Sequence, residues 1–348
     1  MTLEILNAHE DAKRWHQVLA LMPYDVRDVH FTPEYGAAQE RLGDYTAHLA
    51  VYTSPDNWIA CQAFIKRPIE WTAFPDNQFC DITAMGYGGP IANDTMPSLA
   101  HGEEYQAAWH DWMRSQNVVS EFALLNPAFE AAQGYLISEK RVREKTVVIL
   151  PVRPEKDMLA MMRRDRRRDA RKAALTDECR SIGVATTENE SALDEFFDAY
   201  RAMCERHKAS DRWRLNRAYL AAFRNVSGAV MSIASGRVQT LALFGNDIAY
   251  YYLTATAEKI PRGANELVIL HLAELARLHG CSWMHLGGGV TSSEHDPLLD
   301  FKRSCGGLQV PCYSYRRVID GQTYNLLADA NPGKGNFFPA YRAKEANS

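Results

Sequence analysis

One pattern of elements occurs twice along this chain, and no other feature narrows the fold as much. In the C-terminal half, residues 238–244 (VQTLALF) and 248–254 (IAYYYLT) are rich in β-branched and aromatic side chains. Gly245-Asn246-Asp247 between them is hairpin chemistry. A break at Pro261 and Gly263 precedes residues 265–279, where Leu267, Leu270, Leu275 and Leu278 fall near helical spacing. Asn265 is placed to cap that helix and Gly280 to end it. Val268, Ile269 and Leu272 widen its apolar face, so it is expected to pack on a sheet. A strand at 282–286, a Gly287-Gly288-Gly289 turn and a last strand at 310–318 follow. The N-terminal half has the same order: a hairpin at 45–52 and 58–66 around Ser54-Pro55-Asp56-Asn57, a strand at 81–85, a helix at 103–114, and strands at 121–125 and 146–150. The expectation is an α+β protein with two tandem lobes, each a mixed sheet with packed helices. Pro151 and Pro154 put the division at 152/153, giving lobes 1–152 and 153–319. The tail, 320–348, is expected to pack on the first lobe.

Composition removes several function classes. Lys plus Arg is 39 and Asp plus Glu is 43, for a net charge of −4, so a broad nucleic-acid-coating face is excluded and any phosphate contact must be local. The seven cysteines form no C-x-x-C pair, which favours reduced, buried thiols over a disulfide framework or a structural zinc site. The first residues lack the basic start and apolar core of a signal peptide, and no apolar run is long enough to span a bilayer. A cytoplasmic protein is expected. H-E-x-x-H, G-x-x-x-x-G-K-[ST], G-x-S-x-G and G-x-G-x-x-G are all missing from the sequence. No metal site is expected, and Cys305, with no well-spaced histidine, suggests a small buried thiol.

Three stretches carry possible chemistry. Residues 161–174 (MMRRDRRRDARKAA) concentrate guanidinium groups, and on a helix Arg164, Arg168, Arg171 and Lys172 share one side. Planar guanidinium forks match phosphate oxygens. The same segment also reads as a solvated helix in which Asp165 and Asp169 make local ion pairs. In Asp300-Phe301-Lys302-Arg303-Ser304-Cys305-Gly306-Gly307, Lys302 is placed to meet a carbonyl oxygen that turns negative during acyl transfer, although spacing alone describes an ordinary surface lysine. In Tyr250-Tyr251-Tyr252, strand alternation points the outer two one way and Tyr251 the other, one face being core and the other available to line a cleft. The glycine triplet suggests a plain turn, since no helical pattern opens directly after it.

Together the C-terminal elements, YYYLTATAEKIPRGANELVILHLAELARLHGCSWMHLGGG followed by DPLLDFKRSCGG, resemble the Fem family of non-ribosomal peptidyltransferases. The 167–173 segment resembles the family's basic inter-lobe element, and Gly86-Tyr87-Gly88-Gly89-Pro90 its first-lobe glycine-proline turn, with Gly88 where many members carry Arg. The resemblance implies two GNAT-like lobes with a cleft between them. It implies transfer of an aminoacyl group from aminoacyl-tRNA to an amine of a cell-wall precursor, with no cofactor beyond that donor. Lys302 matches the family's catalytic lysine, with Phe301 beside it. Tyr250, Tyr251, Tyr252, Arg214, Arg217 and Tyr219 are the expected substrate-binding residues. Arg167, Arg168, Arg171, Lys172 and Asn265 are those expected to hold the phosphates of the carrier. The second reading is an acyl-CoA-dependent N-acyltransferase acting on a sugar or small amine. Such enzymes hold the diphosphate at a [QR]-x-x-G-x-[GA] loop opening a helix. Here that place is Pro261-Arg262-Gly263-Ala264-Asn265-Glu266, with Arg262 and Gly263 adjacent and Glu266 set to repel an anion. A third reading, a non-catalytic RNA-binding protein using 163–172, is opposed by the acidic total charge.

Overall fold

Apolar alternation becomes strand and 3.6-residue periodicity becomes helix through most of the chain. The computed structural model describes residues 2–70, 78–93, 98–152, 157–291, 293–331 and 337–343. The first elements are β1 (Thr2–Asn7), α1 (Ala12–Leu19), α2 (Pro33–Gln39), β2 (Thr46–Thr53), β3 (Ile59–Pro68), β4 (Cys80–Gly88), β5 (Ile91–Ala92), α3 (Leu99–Ser115) and β6 (Val118–Leu125). Next are β7 (Val142–Pro151), α4 (Met158–Met161), α5 (Arg164–Ala174), β8 (Ile182–Thr186), α6 (Glu190–Arg206) and α7 (Arg217–Ala222). The chain continues with β9 (Gly228–Ile233), β10 (Val238–Phe244), β11 (Ile248–Thr256), α8 (Ala264–Leu278), β12 (Trp283–Gly288), α9 (Pro297–Ser304), β13 (Leu308–Val318) and α10 (Gly321–Ala330).

The chain divides into two units. Unit 1 comprises Met1–Arg143, Ser210–Tyr219 and Tyr313–Ser348, and unit 2 comprises Glu144–Ala209 and Leu220–Cys312. The sequence boundary at 152/153 touches 153–156, which lies outside the described residues, as do 332–336 and 344–348 of the expected tail. In unit 1 the strand order is β1-β2-β3-β4-β6-β13, antiparallel except for the parallel pair β4–β6, with β5 added beside β3. In unit 2 the order is β8-β9-β10-β11-β12-β7, antiparallel except for the parallel pair β11–β12. The expected duplication is therefore real at the level of topology: both units are mixed α+β sheets with the same sequence of pairings. One detail departs from the sequence reading. The strand at 146–150 was expected to close the N-terminal half and the strand at 310–318 the C-terminal half. Instead β7 pairs with β12, and Ser314–Val318 of β13 pair with β6. Apolar alternation specifies that a segment is a strand but not its partner, and the two closing strands are of like pattern.

In unit 1, Tyr105, Trp109 and Met113 of α3 pack on Phe64, Ile82 and Val118 of the sheet. In unit 2, Ile269, Leu272, Ala273 and Ala276 of α8 pack on Met231, Ala242, Ala249, Met284 and Leu286. Leu278, counted above in the apolar face of that helix, is instead exposed at its last position. Small residues bring α5 onto the start of α8: Ala170 and Ala173 meet Ala264, Leu267 and Val268. A Cβ on Gly263 would fall 2.3 Å from the Asp169 carbonyl oxygen, so this approach admits only glycine. Gly263 (φ +97) is the cap of α8, and Asn265 lies inside the first turn rather than capping it.

Candidate active site

Lys302 is buried, 7% exposed, and this corrects the surface lysine suggested by spacing. Its placement begins at Asp296, the N-cap of α9, whose Oδ1 accepts the Leu298 and Leu299 N–H groups at 2.9 and 3.1 Å. Asp296 Oδ2 accepts from the Thr291 amide at 2.8 Å and the Thr291 hydroxyl at 3.0 Å. Burial works to raise the Asp296 pKa, but these hydrogen bonds hold it down at about 2. The capped helix directs Lys302 Nζ to the end of β12, where it donates to the Gly288 carbonyl oxygen at 2.7 Å. Burial first, and then the charge of Lys145, lowers the lysine pKa to about 8. Among the described residues one of its three N–H groups is taken, by Gly288, and the other two can meet a ligand oxygen.

The glycine triplet is part of this cradle rather than a plain turn. Gly287 has φ +75, and a Cβ there would stand 3.3 Å from Lys302 Nζ. A Cβ on Gly289 would fall 2.4 Å from Asp296 Cγ. Asp296→Ala is expected to cost about 1–2 kcal/mol through the lost cap. Thermal unfolding of the variant against the wild type checks this.

β11 and β12 lie side by side only from Ile248–Tyr250 and Trp283–His285. Just beyond, β11 skips Tyr252 in its ladder with β10, and β12 skips Leu286 in its ladder with β7. The two bulges part the parallel strands at their C-terminal ends, where ligands of α/β proteins commonly bind. The tyrosine run straddles this parting. Tyr250 packs on His285 with ring centroids 5.6 Å apart, and Tyr252 on Phe223 at 5.5 Å. Tyr251 faces the α8 side, where burial first of all pushes its pKa up to about 12 while the Thr254 and Thr240 hydroxyls bond to it. Cys305 is fully buried and burial raises its thiol to about 12, so it stays protonated and non-nucleophilic.

Phe301 lies beneath a guanidinium, Arg166 Cζ being 5.3 Å from its ring centroid, and Arg166 Nη1 donates to the buried Glu266 at 3.1 Å. Arg168 and Arg262 both bond to Asp169, at 3.2 and 2.7 Å. Arg167 donates to the Ala160 carbonyl oxygen at 3.2 Å. Arg168, Arg171 and Lys172 are exposed on the outer side of α5, while Asp169, Ala170 and Ala173 face inward. The mouth of α8 thus holds two buried carboxylates, Asp169 and Glu266. Asn265 is half-buried there, and its Oδ1 has no hydrogen-bond partner among the described residues. The remaining expected substrate residues, Arg214, Arg217 and Tyr219, belong to unit 1. Arg214 and Arg217 are exposed, and Tyr219 is buried, its hydroxyl accepting from Gln39 Nε2 at 3.1 Å. Among the described residues, no group of three or more His, Cys, Asp or Glu is arranged to hold a metal.

Sequence reasoning missed the role of Asp296 and the pairing of Arg166 with Glu266, which it had placed only as a charge set to repel an anion. Asp296 before Pro297 is a legible helix start. The Arg166–Glu266 pair spans a long stretch of chain and left no sequence signal.

Residues 160–303 match the family model described as an acetyltransferase (GNAT) domain. No curated protein matches the sequence. Among solved structures, FemX superimposes with a TM-score of 0.65 at 12% identity, covering 93% of this chain and 99% of that one. The C-terminal domain of a candidate lysylphosphatidylglycerol synthetase from Agrobacterium fabrum gives 0.56 at 15% identity, covering 93% and 96%. L-PGS from Bacillus licheniformis gives 0.50 at 12% identity, covering 82% and 87%. Among the described residues no helix is long and apolar enough to cross a membrane. The chain thus carries a GNAT-type acyltransferase domain over residues 160–303 within a FemX-like fold.

Proposed function

We propose that this acyltransferase acts in the cytoplasm, moving an aminoacyl group from aminoacyl-tRNA to an amine of a phosphate-bearing acceptor such as a cell-wall precursor. The observation that carries the reading is the mouth of α8. In acyl-CoA enzymes of this fold the diphosphate would sit on a helix N-terminus. Here the Asp169 carbonyl closes on Gly263, and the guanidinium groups at that mouth are engaged by carboxylates, Arg262 and Arg168 by Asp169 and Arg166 by Glu266. The cations nearby, Arg168, Arg171 and Lys172, face outward on α5, where a large polyanion has access. The structural likeness to FemX and L-PGS supports the reading in the same direction.

In the reaction the acceptor amine attacks the ester carbonyl of the charged tRNA. A C–N bond forms, the carbonyl oxygen takes the electron pair, and collapse expels the ribose hydroxyl, which takes up the proton the amine gives up. Lys302, and with it Phe301 and Arg166 beside it, belongs to the step in which the oxygen is negative. The lysine N–H groups not bonded to Gly288 would meet that charge from a site already desolvated, so little reorganisation is needed. Tyr251 and its threonine partners line the same parted strands. The donor is a co-substrate, and no further cofactor enters the scheme.

The test is incubation with a mixture of charged tRNAs and acyl-CoAs, reading by mass which carrier loses its acyl group. Loss from tRNA supports the reading. Loss from CoA, with micromolar acetyl-CoA binding by calorimetry, would replace it with acyl-CoA-dependent N-acyl transfer. Replacing Arg168, Arg171 and Lys172 by Ala is expected to weaken tRNA binding and to flatten its salt dependence by about one unit of log–log slope per lost phosphate contact. An unchanged slope would remove α5 from carrier binding.

A further inference from the structure

A second lysine of unit 2 stands at the end of β12, and acyl transfer by Lys302 leaves it without a role. Lys145 is on β7, which runs antiparallel to β12 with Val148 opposite Gly287 and Val147 opposite Gly288. Val148 and Leu150 belong to the core beneath α8, so strand alternation turns Lys145, Val147 and Ile149 to the other face of the sheet. The glycines report the same division. A Cβ on Gly287 would stand 3.3 Å from Lys302 Nζ, whereas one on Gly288 would stand 3.3 Å from Lys145 Cδ and 3.7 Å from Val147 Cγ1. Glycine at 288 thus lets the Lys145 stem lie along the last residue of β12. The two lysines flank the Gly287-Gly288 backbone from opposite faces, near enough that the charge of Lys145 acts on Lys302.

The face that Lys145 occupies is also that of Tyr250. Met284 and Leu286 of β12 point into the core beneath α8, so His285 between them points away from it. His285 pairs with Ile149 of β7 in register, and the Tyr250 ring packs on it. Lys145 therefore stands beyond Ile149 and Val147 on the tyrosine side of the parted strands, while Lys302 comes from the α9 side.

No counter-ion balances this second charge. Lys145 is half-buried, yet among the described residues it makes no hydrogen bond and no ion pair. Asp296 is the carboxylate that acts on Lys302, and its oxygens accept from the Leu298, Leu299 and Thr291 amides. Two ammonium groups held near one another and partly out of water repel, and an anion brought to them relieves that repulsion. Like charges gathered in this way are characteristic of functional sites. A single ammonium is a point charge without the planar fork by which a guanidinium grips phosphate, and its match is one singly charged carboxylate.

We propose that Lys145 is a specificity-determining residue that anchors a carboxylate carried by the acyl acceptor within a few bonds of its amine. The carboxylate is held on the Tyr250 face of the sheet while Lys302 meets the carbonyl oxygen from the other. The acceptor class is then an amino-acid-like amine, and an amine with no nearby anion is disfavoured by the two positive charges. As an anchor for the acceptor the inference rests on the acyl transfer proposed above. The carboxylate site itself does not, and its test reads binding without turnover.

Proton–carbon spectra of the full chain, labelled with carbon-13 at the lysine ε positions, read the site directly. Lys145 and Lys302 are assigned by the signal lost in Lys145→Met and in Lys302→Met. Sodium acetate then replaces sodium chloride at constant ionic strength, so that screening stays fixed. The Lys145 signal is expected to move saturably with acetate, and the Lys302 signal to move with the same midpoint. Acetamide, which has no charge, should move neither. Followed at Lys302, acetate should bind Lys145→Met at least about tenfold more weakly, the loss of one charge-assisted hydrogen bond. Lys145→Arg keeps the charge and should stay within about threefold of the wild type, which a merely structural role for the lysine stem would not require. No saturable movement at Lys145, wild-type affinity in Lys145→Met, or inorganic phosphate binding more tightly than acetate would overturn the proposal.

Discussion

Lys302→Ala is expected to slow single-turnover acyl transfer about 100- to 1,000-fold, the loss seen when one preorganised oxyanion donor is removed. The fold should survive. Among the described residues the ammonium makes one hydrogen bond, to the Gly288 carbonyl, so the variant strands a single backbone acceptor. Lys302→Met fills the site better and should be at least as stable as the wild type near neutral pH. The sign follows from linkage. In the unfolded chain the lysine titrates at its ordinary 10.5, and in the folded protein at about 8. Below pH 8 both states are protonated and the folded one bears the cost of the buried charge. Between about 8 and 10.5 the folded lysine has lost its proton while the unfolded one has not, so folded stability rises with pH across that window. The gain is at most about 3 kcal/mol. Urea unfolding of wild type and Lys302→Met at several pH values checks this: the gap should favour the variant at pH 7 and close as the pH climbs. A Lys302→Ala enzyme with near-normal turnover would remove the residue from the mechanism.

Glu121→Ala is expected to destabilise unit 1 by about 3–5 kcal/mol, the cost of stranding a buried charge. Glu121 Oε1 accepts from Gln62 at 2.6 Å, Tyr315 at 2.8 Å and the Trp109 indole at 3.1 Å. Its Oε2 accepts from Arg317 Nη1 at 2.8 Å, and Arg317 also bonds to Glu139 and Gln106. Both partners of the central ion pair are nearly inaccessible, with side chains 1% and 4% exposed. Removing the carboxylate leaves the guanidinium half-paired and three further donors without their acceptor. Glu121→Gln keeps the shape and should cost less. Urea unfolding followed by tryptophan fluorescence, which Trp109 reports, measures the difference. A loss below about 1 kcal/mol would mean that the network relaxes or hydrates.

Much of this architecture is visible in the residues themselves. The Gly245-Asn246-Asp247 turn sets the β10–β11 hairpin, and the leucine spacing after Gly263 sets α8, because both depend on contacts local in sequence. The exchange of β7 and β13 was not visible, since two strands of similar pattern compete for similar edges. α10 escaped notice as well. Its cap, Asp320 accepting from Thr323 N–H, is a local signal, but the helix has few buried positions to give it periodicity. For the site, Lys302 was identified by resemblance while its burial was not. That burial depends on the bulge at Leu286, the positive φ of Gly287 and the Asp296 cap acting together, and only the cap leaves a sequence trace. Arg166 could not be told from its six basic neighbours, because what distinguishes it is Glu266, far along the chain.

The central claim is that a charged Lys302 meets the carbonyl oxygen under attack, and the pH dependence of the single-turnover rate tests it most directly. An amine nucleophile alone would make the rate climb steadily with pH as it loses its proton. With the lysine in its assigned role, the wild-type rate should turn over near pH 8 and fall beyond it, and Lys302→Met should show no such descent. A wild-type rate that keeps rising to pH 10, parallel to that of Lys302→Met, would contradict the account.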